Sequence, residues 1–95
     1  MTRLITDKLV SDDRKALLIY RHRGADVNER ISLFTTRPSI GYPCCITCNV
    51  RNNSFCVIIS DKEDYGLSGT TLYYPVLLAD ICKIVWVRAD EIYYA

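Results

Sequence analysis

The stretch GYPCCITCNVRNNSFCVII, from Gly41 to Ile59, decides how this chain is expected to fold. It holds Cys44, Cys45, Cys48 and Cys56, with Cys82 standing apart as the last of five cysteines. It reads as a metal site or as a β-hairpin. In the hairpin reading Asn52-Asn53 forms a two-residue turn, because asparagine tolerates positive φ better than most residues. Val50 then faces Phe55, Cys48 faces Val57 and Ile46 faces Ile59. Side chains alternate along a strand, so Cys44, Ile46, Cys48 and Val50 form one apolar surface against Phe55, Val57 and Ile59. Cys45 and Cys56 fall on the other face with Thr47 and Asn49. A reduced cysteine on the apolar surface behaves as a small hydrophobe and needs no metal.

The metal reading starts from Cys45-x-x-Cys48, a ligand spacing familiar from zinc sites. Cys56 and Cys82 would complete four thiolates, or His22 would replace one. A second CxxC is missing, His22 is distant in sequence, and positions 45 and 48 point to opposite faces of a strand. The hairpin reading is therefore preferred and no metal or other cofactor is assigned. A zinc-stabilised adaptor stays as an alternative.

Working outward, TRLITDKLV reads as extended, SDDRK as a polar turn, and ALLIYRH as a second strand. Ser11 followed by Asp12 and Asp13 also suits a helix start, which leaves a helix over 12–22 as the competitor. ISLFTT is another strand, interrupted after Arg37-Pro38. TTLYY reads as extended. PVLLADICKIVWV reads either as strands parted near Ala79-Asp80 or as a helix over 76–84, since proline is acceptable at a helix start. Val85-Trp86-Val87 favours the strand, and EIYYA packs back or offers an aromatic edge. The expected fold is mainly β: a small curled antiparallel sheet or open barrel of about five or six strands. The α+β alternative carries a helix in 76–84 or 12–22. With 95 residues, 49% of them apolar, one compact domain spanning 1–95 is expected.

Twelve Lys and Arg against eleven Asp and Glu give a formal charge of +1, which supplies no global drive towards nucleic acid. No apolar run is long enough to cross a bilayer, since Pro75, Asp80 and Lys83 interrupt the longest, so no membrane partner is expected. The N-terminus has no continuous signal-peptide core. An odd number of cysteines, two of them adjacent, fits poorly with a disulfide framework and fits a reducing, cytoplasmic setting.

No glycine-rich phosphate loop, HExxH or GxSxG motif is present. A cysteine-dependent enzyme would need Cys45, Cys48 or Cys56 beside His22, and nothing in the spacing supplies an activating group. The segment YRHRG is the best local binding feature. Arg21 and Arg23 share a strand face, Arg14 and Lys15 lie near its other end, and Arg30 and Arg37 are candidates to join them in space. Arginine forks pair with carboxylates or phosphates, and Tyr93 and Tyr94 add stacking or interface surface. The expectation is a small intracellular, non-enzymatic binding or regulatory protein acting through a protein–protein surface. Its repeated tyrosines and sheet edges also suit a homodimer. A single-stranded nucleic-acid-binding module is the main alternative, combining basic side chains with aromatic stacking.

Overall fold

The computed structural model describes residues 3–4, 16–22, 29–40, 44–50, 53–60 and 62–95. The strands are β1 (Arg3–Leu4), β2 (Leu18–Tyr20), β3 (Glu29–Phe34), β4 (Cys45–Val50), β5 (Ser54–Ile58), β6 (Tyr73–Leu78), β7 (Lys83–Arg88) and β8 (Ile92–Tyr94). They form one open sheet in the order β1-β8-β2-β5-β6-β7-β3-β4. Every pairing is antiparallel, and the sheet does not close into a barrel. The mainly β expectation holds, with more strands than the five or six anticipated.

The helix alternatives give way to strands. Residues 76–84 form the β6–β7 hairpin, with Leu78 opposite Lys83. Residues 18–20 of the other candidate helix are strand β2, while 12–15 lie outside the described residues. The β6–β7 turn is tied by the N–H groups of Ile81 and Cys82, which both donate to the Leu78 carbonyl at 3.3 and 2.9 Å. Cys82 takes a φ of +51°, a left-handed conformation unusual for a residue with a Cβ.

The anticipated hairpin between CCITCNV and SFCVIIS does not form. β4 pairs along its whole length with β3, placing Ile31 opposite Cys48 and Leu33 opposite Ile46. β5 instead lies between β2 and β6. In that central position both edges of β5 are hydrogen-bonded, and its apolar residues alternate between a buried and an exposed face. Asn53 does adopt positive φ, at +66°, but it redirects the chain between distant strands. Asn52 lies outside the described residues.

That short link forces the sheet to curl. β5 and β4 are four positions apart in the strand order, about 19 Å in a flat sheet. Only residues 51–53 join Val50 to Ser54, a reach of about 14 Å when fully extended. The sheet must bend so that its inner face closes over itself. Leu18, Tyr20, Ile31, Leu33, Cys56, Ile58, Tyr74, Val76, Leu78, Val85, Val87 and Ile92 are all buried in that inner core.

Pro75 sets one boundary. Ile59 donates its N–H to the Pro75 carbonyl at 3.1 Å. Proline has no N–H to return the bond, and the regular β5–β6 ladder ends at Ile58↔Val76.

Candidate interface on the outer face of the sheet

Alternation that buries Ser54, Cys56 and Ile58 must turn Phe55, Val57 and Ile59 outward, and these three are exposed. This reverses the face expected for β5. Of the expected apolar surface, Phe55, Val57, Ile59 and Cys44 are on the outside, and Cys56 is in the core. On β4 the alternation runs as expected: Ile46 and Cys48 are half-buried against the core, while Cys45, Thr47 and Asn49 are exposed.

Register aligns the outward side chains across strands. Val57 is opposite Leu77, and Leu77 is opposite Ile84. One step along, Phe55 is opposite Ile19, and Ile19 is opposite Tyr93. The result is a continuous apolar surface across β8, β2, β5, β6 and β7. Phe55 is 54% and Ile84 51% exposed, too much for side chains merely skirting a core.

Arg21 borders this surface. Its guanidinium carbon lies 4.8 Å from the centre of the Tyr93 ring, a cation–π distance. Its Nε and Nη2 both donate to Asn53 Oδ1, at 3.0 and 2.6 Å. The Arg21 N–H donates to the Glu91 carbonyl at 2.9 Å, fixing the backbone beneath it. Among the described residues, Arg21 and Tyr93 are the sequence candidates that adjacent strands bring together.

The other described candidates, Arg30, Arg37 and Tyr94, lie apart from this pair. Tyr94 is half-buried against the core, opposite Leu18, whereas Tyr93 belongs to the outer face. Arg30 is exposed on β3, opposite Asn49. Burial pushes the Cys48 thiol pKa up, and the Arg30 charge partly offsets that rise. Arg37 is tied elsewhere, donating from Nε to Asp64 Oδ2 at 3.1 Å. Arg14, Lys15 and Arg23 lie outside the described residues.

Asp64 anchors the long β5–β6 connection. It also accepts from Ser39 Oγ at 2.6 Å and from the Gly66 N–H at 2.7 Å. The latter contact closes a turn in which Gly66 takes a φ of +68°, a conformation glycine adopts without steric cost. Burial alone pushes the Asp64 carboxyl pKa up. Hydrogen bonds from Ser39, Gly66 and Arg37 outweigh it and hold the pKa below the ordinary aspartate value.

Cys44, Cys45 and Cys82 are exposed, Cys56 is buried, and none of the five cysteines is in a disulfide. Cys45 and Cys48 point to opposite faces of β4, and Cys82 sits in the β6–β7 turn. Among the described residues, no group of three or more His, Cys, Asp or Glu side chains is arranged to hold a metal. His22 meets Tyr20 and Glu91: its Nδ1 is 3.2 Å from the Tyr20 hydroxyl and 3.2 Å from Glu91 Oε2. No helix among the described residues is long and apolar enough to cross a membrane.

Sequence reading missed the outer-face role of Phe55, Val57, Leu77 and Ile84. One available signal was β5 itself, whose apolar residues on both faces require that one face be left outward or covered by something else. Comparison with protein-family models, curated proteins and solved structures gave no match.

Proposed function

We propose that this chain is a non-enzymatic binding protein, of a regulatory kind, that recognises a protein partner through the outer face of its sheet. The observation that carries this reading is the aligned surface Val57–Leu77–Ile84 and Phe55–Ile19–Tyr93, bordered by Arg21. Apolar surface supplies the drive for association, and aromatic and arginine side chains commonly dominate interface energies. The matching partner presents an apolar segment with a carboxylate placed to meet Arg21. Free cysteines fit the reducing conditions of the cytoplasm, the compartment proposed for this interaction.

A nucleic-acid role has weaker support. The carboxylates of Asp64 and Asp90 already engage Arg37 and Arg88, so phosphates would have to compete for both arginines.

The test is selection of binding peptides from a library that varies apolar and acidic positions. Phe55→Asp and Arg21→Glu are then measured against the selected peptides by calorimetry. Each is expected to weaken binding at least tenfold, about 1.4 kcal/mol or more, with the urea midpoint of Phe55→Asp unchanged. Selected peptides that bind both variants as tightly as the parent would sink the proposal. Concentration-dependent self-association abolished by Phe55→Asp would instead assign the face to a second copy of the chain, the homodimer anticipated from the tyrosines.

A further inference from the structure

β3 and β7 are paired at a single position, Phe34↔Trp86. Where that pairing stops, side chains of both strands line a cavity of about 300 Å³, at the lower end for small-molecule sites. Phe34, Tyr73 and Trp86 supply aromatic surface, with the Phe34 and Tyr73 rings edge-to-face at 5.9 Å and 87°. A further ring can stack on one of these faces while meeting the other edge-on, the two arrangements that aromatic pairs prefer. Tyr20 and Val87 line the buried side of the cavity.

The backbone at this gap is as informative as the rings. Successive residues of an antiparallel strand point their N–H and C=O groups alternately to the two sides. Thr35 donates its N–H to the Cys44 carbonyl at 2.8 Å, on the β4 side. Phe34 and Ser32 therefore present their backbone groups towards β7. Past the end of β7, Ala89 donates to the Leu72 carbonyl at 2.9 Å, on the β6 side, which turns Arg88 and Trp86 towards β3. Tyr73, opposite Arg88, agrees with this phase, since it exchanges both of its backbone bonds with Asp64, at 2.7 and 3.0 Å. Ser32 and Arg88 would thus be the next bonded pair after Phe34↔Trp86. Among the described residues, the β3–β7 register does not extend to them, and both line the cavity. A carboxamide carries the same donor and acceptor as the strand peptide that is missing there.

The charged groups on the wall are already engaged. Arg88 donates from Nε to Asp90 Oδ1 at 3.0 Å and from Nη2 to Oδ2 at 2.7 Å, and Glu91 Oε2 lies 3.2 Å from His22 Nδ1. An ionic ligand would have to compete for these groups, whereas an uncharged one leaves both contacts intact. We infer that the cavity binds a small uncharged aromatic carboxamide. Its ring lies against Phe34, Tyr73 and Trp86, and its amide meets the facing backbone groups of Ser32 and Arg88. The site uses none of the side chains of the proposed outer-face interface and does not rest on that reading.

Trp86 is the only tryptophan in the chain, so its indole N–H gives a single NMR signal that reports on the cavity. The experiment titrates the intact, isotope-labelled protein with benzamide, cyclohexanecarboxamide and acetophenone. Cyclohexanecarboxamide keeps the amide and loses the aromatic ring, while acetophenone keeps the ring and carbonyl and loses the N–H donors. Benzamide is expected to shift the signal saturably, with a Kd on the order of 1 mM for so small a ligand. Each of the other two is expected to bind at least about threefold more weakly, for want of an aromatic contact or a hydrogen bond. Phe34→Leu lowers benzamide affinity at least threefold, and Tyr73→Leu serves in its place should that variant fail to fold. Phe55→Asp, on the outer face, leaves benzamide binding unchanged. Absence of a saturable shift with benzamide overturns the inference, as does equal affinity for either of the other two compounds. So does benzamide binding that survives undiminished in a folded Phe34→Leu or Tyr73→Leu protein, or that is lost in a folded Phe55→Asp protein.

Discussion

Leu77 and Leu78 are neighbours on one strand with identical side chains, yet Leu78 is fully buried and Leu77 is 38% exposed. The same contrast runs through β5, where Cys56 and Ile58 enter the core while Phe55 and Val57 face outward. Along β5 and β6 the two faces differ little in hydrophobicity. They differ in what covers them: the inner face has the rest of the curled sheet, while much of the outer face remains exposed. Apolar character on the inside stabilises the fold, and on the outside it is available for association.

Thiol chemistry offers the widest test of that contrast. Burial pushes the Cys56 pKa up to about 12. At pH 8 its thiolate fraction is then ~10⁻⁴, and alkylation of the native protein should be far slower than at the exposed Cys44, Cys45 and Cys82. Peptide mass spectrometry after timed iodoacetamide treatment measures this, and comparable rates would break the inner-face assignment of β5. Because the folded pKa is raised, the stabilisation from the neutral thiol is fully present below the unfolded value. It declines as pH rises from about 9 towards 12.

Paired leucine truncations come next in size. Leu78→Ala should cost about 2–5 kcal/mol in urea unfolding, and Leu77→Ala less than about 1 kcal/mol. Equal costs would mean that the outer face is packed as tightly as the core.

A smaller effect is expected at the loop clamp. Asp64→Asn should lose about 1–3 kcal/mol at neutral pH, through weakened bonds to Ser39, Gly66 and Arg37. The folded pKa of Asp64 is depressed, so its contribution is present above the ordinary carboxylate value and lost as pH falls through the lower folded one. Unfolding curves between pH 2 and 7 should therefore show a flatter acid limb in the variant.

The smallest change sharpens how the faces are assigned. The turn at 79–82 sets the β6–β7 register, and hence which leucine is inside. Cys82→Gly relieves its left-handed backbone and should raise stability by about 0.5–1 kcal/mol, without altering the leucine contrast. A loss of stability would show that the Cys82 side chain contributes more than its conformation costs.

Much of the strand inventory was legible locally. LIY, the strand within ISLFTT, CITCNV, SFCVI and KIVWV carry β-branched or aromatic side chains in short runs, and each becomes a strand. The candidate interface was legible only in part. Arg21 and Tyr93 were recognisable as binding residue types, but 72 positions separate them and no local pattern announces that β2 and β8 pair. Glu91 offered still less, because a carboxylate near the end of a chain reads as solvent-exposed until its burial beside Tyr20 and His22 is known.

By itself, the sequence of this protein determined the strand-forming segments, the alternation along β4, the positive-φ asparagine at position 53 and the near-balance of charge. These follow from residue-level preferences that act over a few neighbours. Tertiary structure alone decided that β4 would join β3, that β5 would join β2 and β6, and that Phe55 and Val57 would face outward. A strand that is apolar on both sides has no local means of choosing a face. That choice is made by which partners close the core, and the three-residue link between β4 and β5 made them curl around it.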